Sequence, residues 1–594
     1  MSHDKDDKDL DLEVGSVPAT TAMTTTLPVQ EKHLGGDSEP EGASEPRKNI
    51  RERIAFFGTK EAWVGDYDYK YLLVPPNPFK DEAKSPPFFG VLSKPPIILT
   101  IILGLQHALA MLAGLTSPAL IITQMANLPV ELQQYCVSAV LIFCAFGTAL
   151  QVTRFHIWKT PYYLGSGVLS VVGTCTCHLA CLNLFYGCRY ANGTCPVDAD
   201  GNQLPCPDAY GALLGTCAVC ALFQILLAFV PPKVLRRIFP PLVTGSVLVL
   251  GGISLVSAGM NAWAGGSGSC SSRPTEGDFQ LCPNNFAPHP LPWGSAEFIG
   301  LGFLVFISII LIERFGSPFM KNASVIGGLL IGSIVAAACN YFDGSTIKQA
   351  PVITFLWVHT FPLRVDGTLV LPLLAVLVTI VVECIADITA TCDVSRVEVE
   401  GPVFNSRIQG GVLVDGVNSL IAALATVTST TTFAQNNGVI ALTNMASRRA
   451  GYACCIWLLL LGVFAKFAAA LVAIPSSVFG GMTTYLFATI VVSGFRVLSY
   501  NHWTRRTRFI LTASMAVGIG SIVVPTWFSY VFTYSGSNSR LRGFLDAIVL
   551  VVETPQVIAT FIGVILNLIL KESPEDEREE KRKVLLAYGI EDGF

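Results

Sequence analysis

The sequence predicts an all-α polytopic membrane protein of about fourteen transmembrane segments, arranged as two inverted seven-span repeats, with two short antiparallel strands in the interrupted third and tenth spans. Three observations carry this. Of 594 residues, 51% are hydrophobic and 14% charged, and the mean hydropathy is +0.54, which excludes a soluble globular or disordered chain. Apolar runs long enough to cross a bilayer follow one another from residue 97 to residue 570. Two of these runs are broken by polar, glycine and β-branched residues at corresponding places in the two halves.

Residues 1–95 are mostly polar and acidic at the start, with no apolar core of a signal peptide, so they read as a cytoplasmic tail, disordered at least to about Arg47. Apolar runs then fall near 97–114, 134–152, 163–185, 209–230, 241–260, 297–313, 324–340, 370–390, 409–427, 433–447, 451–473, 478–497, 507–529 and 545–570. An even number of spans puts both termini on one side. Lys and Arg concentrate in the loops on that same side, including Arg154, Lys159, Lys233, Arg236, Arg237, Arg314, Arg407, Arg448, Arg449, Arg505 and Arg506, which makes it the cytoplasm. Residues 571–594 then form a cytoplasmic C-terminal tail.

The same orientation puts Cys188, Cys195 and Cys206 in one outer loop and Cys270 and Cys282 in another, where disulfides can form, together with the sequon Asn192-Gly193-Thr194. Cys144, Cys217, Cys220, Cys454 and Cys455 lie in spans and read as inert packing. The CxxC at Cys217–Cys220 has no second pair, so no metal is expected.

In the third span, Gly165 and Gly167 break any helix early, Val168–Val172 prefers an extended form, and Gly173-Thr174 can open a half-helix. The tenth span repeats the plan. The β-branched run Thr426–Thr432 favours extended chain, and Asn436-Asn437-Gly438 can start a helix, so a strand hands over to a helix near Gln435. Polar backbone at membrane depth is tolerated only where protein or a water-filled cavity satisfies it. One reading is a cavity lined by unpaired N–H groups and side-chain amides; the other is a polar loop between two helices. Each broken span is third in its half, and an odd number of spans per half makes the repeats inverted.

Glu383 and Asp387 follow a dozen apolar residues and lie four apart, on one helix face. At that depth each must face the protein interior and be protonated, paired or hydrogen-bonded. A group able to hold a proton there suits a proton carrier; a strut bracing the broken helices is the alternative for Glu383, and a tie to Thr389 or a backbone end for Asp387. Asp415 lies among small residues that it can cap or brace. Gln106-His107 forms a polar pair in the first span, read as a buried histidine satisfied by a neighbour or as a proton relay. There is no P-loop, serine elbow, zinc-helix motif or basic nucleic-acid face, so neither an enzyme, a cofactor nor a nucleic-acid partner is expected.

The run Gln435-Asn436-Asn437-Gly438-Val439-Ile440-Ala441-Leu442-Thr443 closely resembles the signature of the nucleobase-ascorbate transporter (nucleobase:cation symporter-2) family: Gln, Glu or Pro, then Asn-x-Gly, four residues and Thr. The resemblance continues through Glu383–Arg396, Gln106-His107 and Ser406–Gly410, covers about Pro95 to Leu570, and within the family is most like the fungal uric acid-xanthine permeases.

That resemblance implies a core domain near 97–230 and 370–473 that slides as an elevator against a gate domain near 241–340 and 478–570. It implies a homodimer in the plasma membrane, proton-coupled in fungi. Matched by motif, Glu383 and Gln435 would hold a purine, flanked by Phe433, Ala434, Cys175 and Thr176. Asn436, Asp387, Asp415, His107 and Gln106 would serve transport or coupling, and Asn444, Thr443 and Gly438 specificity. A carboxylate and a primary amide suit a flat polar heterocycle. Two departures bear on the substrate: Asn444 stands where the urate-xanthine members carry Arg, and Thr176 where they carry Phe. Other expectations are a different nucleobase, an organic anion such as ascorbate, or a transport-deficient purine sensor.

Overall fold

The interior of the molecule is built round two buried chain segments, Val172–Thr174 and Thr430–Thr432, that are extended rather than helical. The computed structural model describes residues 59–75, 87–176, 178–199, 203–231, 234, 237–266, 291–342, 344–433, 435–499, 501, 503–532 and 539–571. Most of both expected tails, the Cys270–Cys282 loop and Ala434 lie outside them. Two short helices, α1 (Lys60–Trp63) and α2 (Tyr69–Leu73), precede α3 (Ile97–Met125) and α4 (Val130–Val152). A small hairpin follows, β1 (Phe155–His156) with β2 (Tyr163–Leu164), and then β3 (Val172–Thr174), α5 (Leu179–Ala191) and α6 (Pro207–Leu227). The next group is α7 (Pro241–Trp263), α8 (Ala296–Phe315), α9 (Pro318–Asn322), α10 (Ser324–Ala338) and α11 (Ser345–Gln349). The second half starts with α12 (Gly367–Val394), α13 (Pro402–Leu424), β4 (Thr430–Thr432), α14 (Gln435–Thr443), α15 (Arg448–Val463) and α16 (Ala465–Val472), and ends with α17 (Ser476–Ser499), α18 (Arg505–Val523), α19 (Ser539–Glu553) and α20 (Pro555–Ile569).

Seven helices among the described residues, α3, α4, α6, α7, α8, α12 and α17, are long and apolar enough to cross a membrane; α19 and α20 form a further candidate pair, bent by 84°. The protein is therefore a mostly helical, multi-pass membrane protein. Prolines open α6, α7, α9, α13 and α20, where a missing N–H costs no hydrogen bond.

The helices fall into two packed groups. In one, α15 lies against α3 and α4, and α6 against α13. In the other, α7 lies along α17, and α18 against α20. Small residues permit the close approach: a methyl group on Gly252 of α7 would meet Val491 at 2.6 Å, and one on Gly480 of α17 would meet the Trp263 backbone at 2.0 Å. Helix α12 touches both groups, packing on α6 and α13 and also on α19 and α20.

Several expectations change. The first apolar run continues as one helix to Met125 rather than ending near 114. In the third span the strand is Val172–Thr174 and the half-helix starts only at Leu179, about five residues later than Gly173-Thr174 suggests. The β1–β2 hairpin was not anticipated. Of the cysteines expected in the outer loops, Cys195 and Cys206 are joined and Cys188 is free and exposed. Arg448 is more than a charge anchoring topology: its Nε donates to the Gly167 carbonyl at 2.6 Å, tying α15 to the broken third span.

Candidate functional site

The two broken segments meet. Strand β3 pairs antiparallel with β4, with Val172 opposite Thr432, Gly173 opposite Thr431 and Thr174 opposite Thr430. The ladder extends at both ends, Cys175 N donating to Ser429 O and Phe433 N to Val171 O, each at 3.0 Å. A two-stranded ladder inside a bilayer leaves outer edges that must also be satisfied. Here side chains do it. Thr148 Oγ1 accepts from Val172 N at 3.0 Å, and Ser419 Oγ accepts from Thr430 N at 3.2 Å while donating to Thr430 O at 3.0 Å. The Phe433 ring sits over two glycines: a methyl on Gly173 would lie 2.6 Å from it and one on Gly114 2.9 Å.

Beside this ladder lies a narrow, partly open cavity. One wall carries Thr176, just beyond β3, with Thr379 and Glu383, one turn apart on α12. The other wall is mostly apolar, with Val247, Gly251 and Leu255 on α7 and Ile490 on α17, and it adds one polar group, Gln556 on α20. The cavity thus lies between the two helix groups. An apolar slot with a few convergent polar groups is the usual make-up of a small-molecule site.

The other acids lie behind Glu383. Asp387 is buried and accepts from Thr432 Oγ1 at 3.4 Å, while Thr389, one alternative partner for it, donates instead to Ile385 O. Asp415 is wholly buried; its Oδ2 accepts from Gln224 Nε2 on α6 at 2.9 Å. Glu383 and Asp387 stand one turn apart on α12, with Asp415 near Asp387. Thr391 Oγ1 donates to Asn437 Oδ1 at 2.6 Å and so joins α12 to the first turn of α14.

Asn436 is wholly buried and its amide donates to Leu169 O, fastening α14 to the third span. His107 is wholly buried on α3 and lies beside Asn436, the neighbour placed to satisfy it. Gln106 Nε2 donates to Pro318 O at 3.0 Å and links α3 to the short helix between α8 and α10. Cys175 is buried and Gln435 exposed at the start of α14. The cavity wall itself includes neither, nor Asn444, Thr443 or Gly438. Thr443 donates to Val439 O within its own helix, and Gly438 faces open space. Asn444 ends α14 with φ 54°, a left-handed position that Asn tolerates better than most residues, and its carbonyl accepts from Phe89 N at 2.8 Å.

Sequence reasoning missed Thr379, Gln224 and Gln556. Thr379 is one turn before Glu383 on the same face, a spacing that was available. Gln224 interrupts one apolar run, and Gln556 follows Glu553 and Thr554 in another, signals present in the sequence and passed over.

Fold and site together define a multi-pass membrane permease. A family model described as a permease family matches residues 99–527. The chain belongs to that family, the nucleobase-ascorbate transporters, and resembles its fungal uric acid-xanthine members. It is 56% identical to the uric acid-xanthine permease of Emericella nidulans over 538 residues, covering 90% of this chain and 92% of that one. It is 53% identical to the purine permease of the same organism over 558 residues, covering 92% of this chain and 96% of that one. Among solved structures, the transmembrane domain of a cyanobacterium bicarbonate transporter, BicA, aligns at TM-score 0.48 and 15% identity over 76% of this chain and 96% of that one.

Proposed function

We propose that this protein carries oxidised purines such as xanthine and uric acid into the cell across the plasma membrane, coupled to protons. The observation that carries the reading is the cavity, where Glu383 and Thr176, on elements braced by the β3–β4 ladder, face α7 and α20 of the other helix group. Glu383 would accept from ring N–H groups. Gln435, which lies off the cavity wall here, would read a carbonyl and the adjacent nitrogen, and Phe433, Ala434, Cys175 and Thr176 would complete the site. Asn436, Asp387, Asp415, His107 and Gln106 would hold the site or couple it to protons.

In this reading the chain has fourteen spans in two inverted repeats. The core is 97–230 and 370–473, the gate 241–340 and 478–570, and the tails 1–95 and 571–594 are both cytoplasmic. The core slides against the gate as an elevator in a homodimer. The pairing of the third and tenth segments supports the repeat, and the placement of the cavity between the helix groups supports the sliding.

The test is uptake of radiolabelled xanthine, with competition by a panel of bases and ascorbate, in cells lacking their own purine permeases. Saturable uptake blocked by urate is expected; binding without uptake would mark a sensor, and preference for uracil or ascorbate another transporter. Proton coupling predicts uptake that rises as external pH falls and collapses with a protonophore. Indifference to both treatments would point to facilitated diffusion or sodium coupling.

Position 444 is a second point of test. Asn444→Arg is expected to shift the inhibition profile toward urate and xanthine, acting through the placement of α14 because the residue lies off the cavity wall. The left-handed backbone costs it about 1 kcal/mol. An unchanged profile would show that this position does not select.

A further inference from the structure

Glu553 is a buried carboxylate that the transport reading leaves without a role. It is the last residue of α19, at the break where the last apolar segment turns by 84°, and only 7% of it is exposed. Pro555 has no N–H and disfavours a helical conformation at Thr554, so the helix cannot run through. A break of this kind leaves the direction of the following helix to be fixed by side chains. Glu553 supplies the fixing: its Oε1 accepts from Ser529 Oγ at 2.6 Å and from Phe528 N at 3.2 Å, both in the turn after α18. The carboxylate therefore clamps that turn to the break.

Three residues further on, Gln556 is the one polar group that the gate-side wall offers to the cavity holding Glu383. Helices α19 and α20 both pack on α12, which carries Glu383. Glu553 Oε2 is buried with no hydrogen-bond partner among the described residues. A carboxylate buried in an apolar span is costly to keep, and such acids are retained for function. A shift of about 1 Å in a side chain that meets substrate is enough to change its fit.

We propose that Glu553 is a positioning residue: by clamping the α18 turn to the break, it sets the direction of Gln556 and thereby which bases the cavity accepts. The inference rests on the purine-transport reading. Its test is initial-rate xanthine uptake by the full-length protein, with inhibition by a panel of purines and the surface amount measured for each variant. Gln556→Ala is expected to raise KM by about tenfold and to change the inhibition profile. Glu553→Ala should reproduce that changed profile, and Ser529→Ala should move it the same way by a smaller factor. Glu553→Gln, which keeps an oxygen acceptor for Ser529 and Phe528, should restore the unmodified profile. Wild-type KM and profile in Glu553→Ala at a normal surface amount, a fall in Vmax alone, or a Glu553→Gln variant that behaves like Ala would overturn the inference. Should Glu553→Ala fail to reach the surface, Ser529→Ala decides in the same way. An unmodified protein that neither moves nor binds purines would instead overturn the reading of function, and this inference with it.

Discussion

Glu383→Gln is expected to cut the initial rate of xanthine uptake by about 100-fold while the protein still reaches the cell surface. The amide keeps the shape of the side chain and one acceptor oxygen, but loses the charge that would bind two ring N–H groups together. Loss of a charge-assisted, desolvated bond of this kind costs ~3 kcal/mol, which is about two powers of ten. The fold should be little affected, because the amide keeps the size of the side chain and one acceptor oxygen at the cavity wall. Radiolabelled uptake normalised to a surface fluorescent tag measures this, and a rate near that of the unmodified protein would remove Glu383 from the site.

Gly165→Ala is expected to prevent accumulation of folded protein. Gly165 has φ +98°, and a methyl group there would lie 1.7 Å from the Thr153 carbonyl oxygen and 2.6 Å from that of Leu150. Those atoms are backbone and cannot swing aside. The residue's own N–H donates to Gly410 O at 3.0 Å, so moving the chain away would unfasten the third span from α13. Strained backbone and a backbone clash together should cost on the order of 4 kcal/mol or more, a large share of the stability of any membrane domain. Surface fluorescence and the thermal midpoint in detergent read the effect. Gly438→Ala is the control, since nothing lies within 4 Å of the added methyl, and its surface amount should be unchanged.

How far the site was legible in the sequence differs from residue to residue. Periodicity alone put Glu383 and Asp387 on one face of an apolar helix, and the structure keeps them on α12 a turn apart. The run Thr426–Thr432 announced extended chain before a helix at Gln435, which is where α14 starts. The third span was read less well. Its valines also favour extension, but the strand they form pairs with one about 260 residues away in the chain, which no local signal marks. The bond of Asp415 to Gln224 and the hold of Arg448 on Gly167 O were likewise out of reach, for each joins positions far apart in sequence.

By itself, then, the sequence determined where the chain is apolar enough for lipid, where helix must fail, and which acids stand in the wrong solvent, because hydropathy, β-branching and glycine act within a few residues. Only the tertiary structure decided what stands across from those acids. Gln556 and the apolar wall of α7 reach Glu383 through the packing of one helix group on another, and such packing depends on side-chain shapes meeting in space rather than on their order along the chain.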